Sequence, residues 1–220
     1  MASKYIGRPA LSSHRGWDPG ALELATWLGD RLRAPVLAST VTRLLVDLNR
    51  SPYNPRVFSE ATRKLPRRER EALLARHHRP HRDEVEAAVA VAARHRCTIL
   101  HLAVHSFTPV LRGVERRADL ALLYDPVKER ERTLCSAWAD ALRVRLPGRL
   151  VRRNYPYRGR SDGLTTTLRA AFDEEPYLGI EIEVNQKHVG PDGRFPRWVG
   201  EGLADALEQV MEAMPHLDRR

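Results

Sequence analysis

Apolar positions in this chain fall into short runs and helical stripes that alternate through most of its length. The clearest run lies within CTILHLAVHSFTP, Cys97 to Pro109. Ile99, Leu100, Leu102, Ala103 and Val104 form a nearly continuous apolar segment there, too short for a membrane span and typical of a strand buried on both faces. His105 and Ser106 stand where that strand leaves its sheet, and the carboxyl ends of strands line the ligand crevice of open α/β sheets. His105 is therefore a site candidate, with a hydrogen-bonded structural histidine as the plainer alternative.

Earlier in the chain, SSHRGWDPGALELATWLGDRL reads as a loop feeding a helix, with Ala21, Ala25, Leu28 and Leu32 on one face and Pro19 at the first helical position. Asp18 then sits at the N-cap. Pro35 to Pro52 reads as two short strands, or a strand and a bend, closed by a turn at Asn49 to Pro55. Arg43, Asp47, Asn49 and Arg50 cluster in it: arginine suits bidentate carboxylate recognition, although an Asp47–Arg50 pair could simply stitch the turn. Arg67 to His78 has the pattern of a solvated helix after Pro66. Arg82 to Arg96 is expected to be helical, with Val85, Val89 and Ala92 inward and Glu84 and Glu86 in the first turn. His77, His78 and His81 lack a carboxylate or cysteine at a familiar ligand spacing, so no metal is assigned to them.

Arg117 to Pro126 holds a second buried strand, followed by a helix over about Val127 to Arg145 that turns Leu134, Trp138, Ala141 and Leu142 to the core. RLVRRNYPYRGRSDGLTTTLR supplies a strand, a loop of turn residues and another helix. YLGIEIEVNQ alternates strictly, Ile180, Ile182 and Val184 on one face and Glu181 and Glu183 on the other. Two carboxylates on one face are expensive to bury without a cation, and the plain reading is an edge strand with its charged face in water. A last helix runs from about Pro196 to Met214. Strands alternating with helices predict one domain over 1–220 with an α/β fold: a three-layer α/β/α sandwich around a mixed, largely parallel sheet.

Charge sharpens this less than its size suggests. The formal net charge is +9 and the pI about 10.1, which points to acidic partners. The basic residues are scattered and overwhelmingly arginine, lysine occurring only at 4, 64, 128 and 187. With few aromatic residues for base stacking, nucleic acid is set aside and small anionic substrates remain. Cys97 and Cys135 are the only cysteines, a usage that suits a reducing cytoplasm. With no recognisable leader and no apolar run long enough for a bilayer, a soluble intracellular protein without membrane partners is expected.

Six segments together resemble the N-formylglutamate amidohydrolase family, within the wider group of zinc carboxypeptidase-like and aspartoacylase-like hydrolases. They are HRGWDPGALELA, TRLLVDLNRSP, LHLAVHSFTPVL, ADLALLYDP, RNYPYRGRSDGLTTTLR and YLGIEIEVNQ, in the family's order across about Ser13 to Gln186. The resemblance implies a zinc-carboxypeptidase-like fold and a zinc-dependent hydrolase that cleaves the amide of an N-acylated amino acid or similar small carboxylate. It implies zinc ligation by His105 and Asp18. Glu183 takes the role of the carboxylate that shuttles the water's proton to the leaving amine, with Glu181 as the second candidate. Arg43 becomes the oxyanion-stabilising residue and Asn49 with Arg50 the grip on the substrate's carboxylate. Arg158 and Asp162 belong to a substrate-binding loop over Asn154 to Gly163. The chain departs from the family pattern at one point: the expected strand ending in a Glu-His-Gly-Gly-Asn type segment, with a further histidine ligand, has no counterpart before Ser12. His14, four residues from Asp18, is the available substitute. If it does not serve, the alternative is a non-catalytic or truncated family member that binds a small anion.

Overall fold

A computed structural model of the chain describes residues 6–7, 11, 15–95, 97–173 and 177–215. Its helices are α1 (Ala21–Leu32), α2 (Arg67–Leu73), α3 (Arg79–Ala93), α4 (Glu129–Arg145), α5 (Leu164–Ala171) and α6 (Arg197–Ala213). The strands are β1 (Ile99–Phe107), β2 (Val110–Leu111), β3 (Val114–Glu115), β4 (Leu120–Leu123), β5 (Val151–Arg153) and β6 (Tyr177–Asn185). Four of them form the central sheet in the order β1-β6-β4-β5, and β2 pairs with β3 in a separate hairpin. The β1–β6 and β4–β5 pairings are parallel and β4–β6 is antiparallel, the mixed, largely parallel sheet that the alternation of elements predicts.

Helices cover both faces. Leu178, Ile180, Ile182 and Val184 of β6 join Leu24 and Leu28 of α1, Leu134, Trp138 and Leu142 of α4, and Val199, Leu203 and Leu207 of α6 in the larger core. Trp138 Nε1 donates to the Leu203 carbonyl at 3.1 Å, so the buried indole satisfies its one donor across the α4–α6 contact. On the opposite face Val85 and Val89 of α3 pack with Leu164 and Leu168 of α5 and Tyr177 of β6. A buried carboxylate of α4 joins that helix to α5 and β6: Glu131 accepts from Arg169 Nε at 2.7 Å, from the Gly179 amide at 2.9 Å and from the Asp125 amide at 2.8 Å.

The structure reverses the places of the two main strands. The apolar run of β1 lies at the sheet edge and is mostly half-buried, whereas every residue of β6, charged positions included, is buried at the centre. Strand position is decided by sheet order, which alternation along one strand does not encode. Two other expectations change. Residues 35–52 form irregular chain and short turns instead of strands; Ser59 and Thr62 donate their hydroxyls to the Leu44 and Leu45 carbonyls. Asp18 does not cap α1; Gly20 does, at φ 77°, and a Cβ there would stand 2.6 Å from the Phe195 ring. Asp18 is thereby left free for other partners.

The helical stretch after Pro66 also differs from a simple solvated helix. It passes through one π-helical turn, Leu74–His78, directly into α3, and buries Leu73, Leu74 and His78. Because α3 starts at Arg79, Glu84 and Glu86 lie beyond its first turn. No helix among the described residues is long and apolar enough to cross a membrane.

Candidate active site

Parallel register sets Ala103 beside Glu181 and His105 beside Glu183, at the carboxyl ends of β1 and β6. Since alternate residues share a face, His101, His105, Glu181 and Glu183 lie opposite the larger core. Both carboxylates are buried, Glu181 at 9% and Glu183 at 5% exposure. Thr165 donates its hydroxyl proton to Glu181 Oε1 at 2.6 Å. Oε2 of Glu183, in contrast, is buried without a hydrogen-bond partner among the described residues. Burial pushes the Glu183 carboxyl up to about 8; His105 opposes the rise and the charges of Asp18 and Glu181 add to it.

The turn before α1 brings Asp18 to the same place. His105 Nδ1 donates to Asp18 Oδ2 at 3.0 Å, and Arg43 makes a charge-assisted bond to Oδ1. Burial alone would raise the Asp18 carboxyl, but the hydrogen bond from His105 and the charge of Arg43 hold it below its ordinary range. On His105 burial works against the charge, and the bond to Asp18, together with the charges of Asp18, Glu183 and Glu181, overrides it and pushes the imidazole up to about 9. The placement of Asp18 is braced from β1: the Ser106 hydroxyl donates to the Pro19 carbonyl at 2.9 Å, and Gln186 Nε2 donates to Ser106 Oγ at 3.0 Å.

A second cluster gathers around the 47–54 turn. Asn49 Oδ1 accepts from the Leu164 amide at 2.8 Å, satisfying an N–H at the start of α5 that has no partner within the helix. Arg50 Nη1 donates to the Asp162 carbonyl at 2.9 Å. The Asp162 carboxylate accepts from the Ser51 amide at 3.1 Å and from Asn54 Nδ2 at 2.6 Å, bonds that outweigh its burial and keep it ionised. Arg50 Nε is 3.9 Å from Asp47, so the pairing within the turn is also present. Leu164 and Thr165 are consecutive and bond Asn49 and Glu181, which joins the two clusters into one site.

Sequence reasoning thus named Asp18, Arg43, His105, Glu181 and Glu183, which come together, and Asn49, Arg50 and Asp162, which form the adjoining turn and loop. Arg158 is exposed on that loop, and His14 lies outside the described residues. Thr165 and Gln186 carried no such reading, and Ser106 was marked only by its place beside His105 at the strand end. Ser106 is the penultimate residue of β1 and Gln186 the first residue after β6, and position at a strand end was the available signal. For a metal, Asp18 and His105 offer a carboxylate and an imidazole in contact, and Glu183 an unpartnered buried oxygen beside them. A catalytic zinc takes three protein ligands and keeps an open position. Among the described residues no group of three His, Cys, Asp or Glu side chains is disposed to hold a metal ion, so two donors fit and the third would come from elsewhere.

The family model described as N-formylglutamate amidohydrolase matches residues 6–189. No curated protein matches the chain. Among solved structures, a gene product of Agrobacterium tumefaciens is similar with a TM-score of 0.80 at 25% identity, over 97% of this chain and 86% of that one. An N-formylglutamate amidohydrolase from Ralstonia eutropha is similar in fold, with a TM-score of 0.64 at 18% identity over 90% of this chain and 81% of its own.

Proposed function

The chain belongs to the N-formylglutamate amidohydrolase family, whose chemistry is amide hydrolysis, and from that premise we propose that it hydrolyses the amide of an N-formyl or other N-acyl amino acid with the aid of zinc. The observation that carries the reading is Glu183: a buried carboxylate with one unpartnered oxygen, beside the Asp18–His105 pair at a strand end. Asp18 and His105 would hold the zinc, with His14 as the third ligand; the bound ion supplies a Lewis acid and lowers the pKa of water.

The side chains divide the remaining work. Glu183 takes the proton of the attacking water and delivers it to the leaving nitrogen, a task suited to a carboxylate whose pKa burial has raised toward neutrality. Glu181 is engaged by Thr165 and is the weaker candidate for that proton transfer. Arg43 holds Asp18 with one nitrogen and has further N–H groups for the oxyanion. Asn49 and Arg50 grip the substrate's carboxylate through the donors their mutual scaffold leaves over, Asn49 Nδ2 and the rest of the guanidinium fork. Arg158 on the exposed loop extends the positive surface, and Asp162 anchors that loop.

Zinc content of the purified chain, measured beside the His105→Ala and His14→Ala variants and together with turnover of N-formyl-L-glutamate, tests the proposal. About one zinc per chain, lost in both variants along with turnover, is the expected result. Absence of both zinc and turnover overturns it and favours a member that binds a small anion without hydrolysing it.

A further inference from the structure

Arg82 lies on α3, outside every motif that pointed to the site, and is only 8% exposed. Among the described residues none of its hydrogen bonds goes to a carboxylate. Nη1 donates to three successive carbonyls of the neighbouring turn, Leu48 at 3.2 Å, Asn49 at 3.3 Å and Arg50 at 3.2 Å. Nη2 donates to the Thr167 hydroxyl on α5 at 2.5 Å. The Arg50 carbonyl has a second partner, His78 Nε2 at 2.8 Å, presented by the π-helical turn just ahead of α3 and 2% exposed.

Burying a guanidinium is costly unless its donors are used. Here they are used on the backbone of one turn and on the helix that the same turn contacts. With its carbonyls engaged on the α3 side, the turn has its side chains available for other partners: Asn49 bonds the start of α5 and Arg50 the Asp162 carbonyl. We propose that Arg82 is a positioning residue for substrate binding, which fixes the backbone of Leu48 to Arg50 so that Asn49 and Arg50 meet the substrate's carboxylate in register. The inference rests on the reading of Asn49 and Arg50 as that grip. A lysine in its place is charged but has one point-like head in place of a planar fork, and cannot span three carbonyls and a hydroxyl at once.

The test uses the full chain with Arg82→Lys and Arg82→Met, and Arg50→Gln for comparison. Amide exchange, which needs no ligand, is expected to quicken over 47–54 and 162–165 in both Arg82 variants while β4 and β6 keep their protection. With N-formyl-L-glutamate, KM is expected to rise about tenfold or more in Arg82→Lys with kcat little changed, since misplaced binding groups weaken a contact made in the ground and transition states alike. Exchange that quickens equally throughout the sheet marks a merely structural residue and overturns the proposal. So does an unchanged KM in a variant whose turn exchanges faster. If Arg50→Gln leaves KM unchanged, the carboxylate-grip reading of Arg50 fails and the positioning role falls with it. A raised KM in Arg50→Gln beside an unchanged KM in Arg82→Lys keeps the grip and overturns the role of Arg82 alone.

Discussion

His105 Nδ1 lies 3.0 Å from Asp18 Oδ2 although the two residues are 87 positions apart in the chain. The contact exists because Gly20 bends the chain at the start of α1 and Ser106 ties Pro19 to the end of β1. It places a carboxylate and an imidazole at a strand end beside Glu183, and the proposed chemistry starts from that juxtaposition.

Glu183→Gln separates catalysis from stability. Its Oε2 is buried and unpartnered, and burial already opposes its charge, so an amide of the same shape asks no more of the fold than the acid does. Turnover of N-formyl-L-glutamate should fall by about a hundredfold or more, while the midpoint of urea unfolding stays level or rises. A fall in both would identify Glu183 as structural.

Gly159→Ala should loosen the loop that carries Arg158. A Cβ at this position would stand 2.2 Å from the Tyr124 amide nitrogen and 2.6 Å from its Cα, both backbone atoms that cannot rotate aside. The expected cost is about 1–3 kcal/mol of unfolding free energy, accompanied by faster amide exchange over 154–163. An unchanged midpoint would show that the loop can lift without penalty.

Arg169→Met leaves the Glu131 carboxylate buried without its cation. Both side chains of this pair are almost wholly inaccessible, at 5% and 1% exposure. Loss of about 3–5 kcal/mol is expected, and the double variant Arg169→Met with Glu131→Leu should recover part of it. Denaturant titration of the single and double variants reads both values.

His101 gives the fold an acid-sensitive step. Burial, with the neighbouring charges of His105, Arg169 and His81, lowers its pKa to about 4, and its Nδ1 shares a hydrogen bond with the Tyr177 hydroxyl at 2.7 Å. The unfolded chain takes up this proton near pH 6.5 and the folded chain only near pH 4. Stability from this residue is therefore complete above about pH 6.5 and is lost as pH falls toward 4, by about 3 kcal/mol in all. His101→Asn should flatten the unfolding free energy in that window relative to the parent. An identical slope in both proteins would remove His101 as the cause.

Much of the fold was legible in the sequence because periodicity reports which face of an element is apolar. Ile180, Ile182 and Val184 do share the core face of β6, and the stripes of α4 and α6 bury Leu134, Trp138, Leu142, Leu203 and Leu207. The candidate residues were legible as residue types at strand ends and turns. Arg82 left a fainter trace, a charge three positions before Val85 on the inward face of its helix.

The sequence by itself determined most of the elements outside residues 35–52, the three-layer class and the set of side chains able to do chemistry, since these depend on local pattern. Only the tertiary structure decided that β6 is central and β1 lies at the edge, that Asp18 meets His105 instead of capping α1, and that Arg82 clasps the Leu48–Arg50 carbonyls. Those outcomes rest on contacts between segments distant in the chain. There the cost of burying a charge or carbonyl is met by whatever partner packing brings within reach.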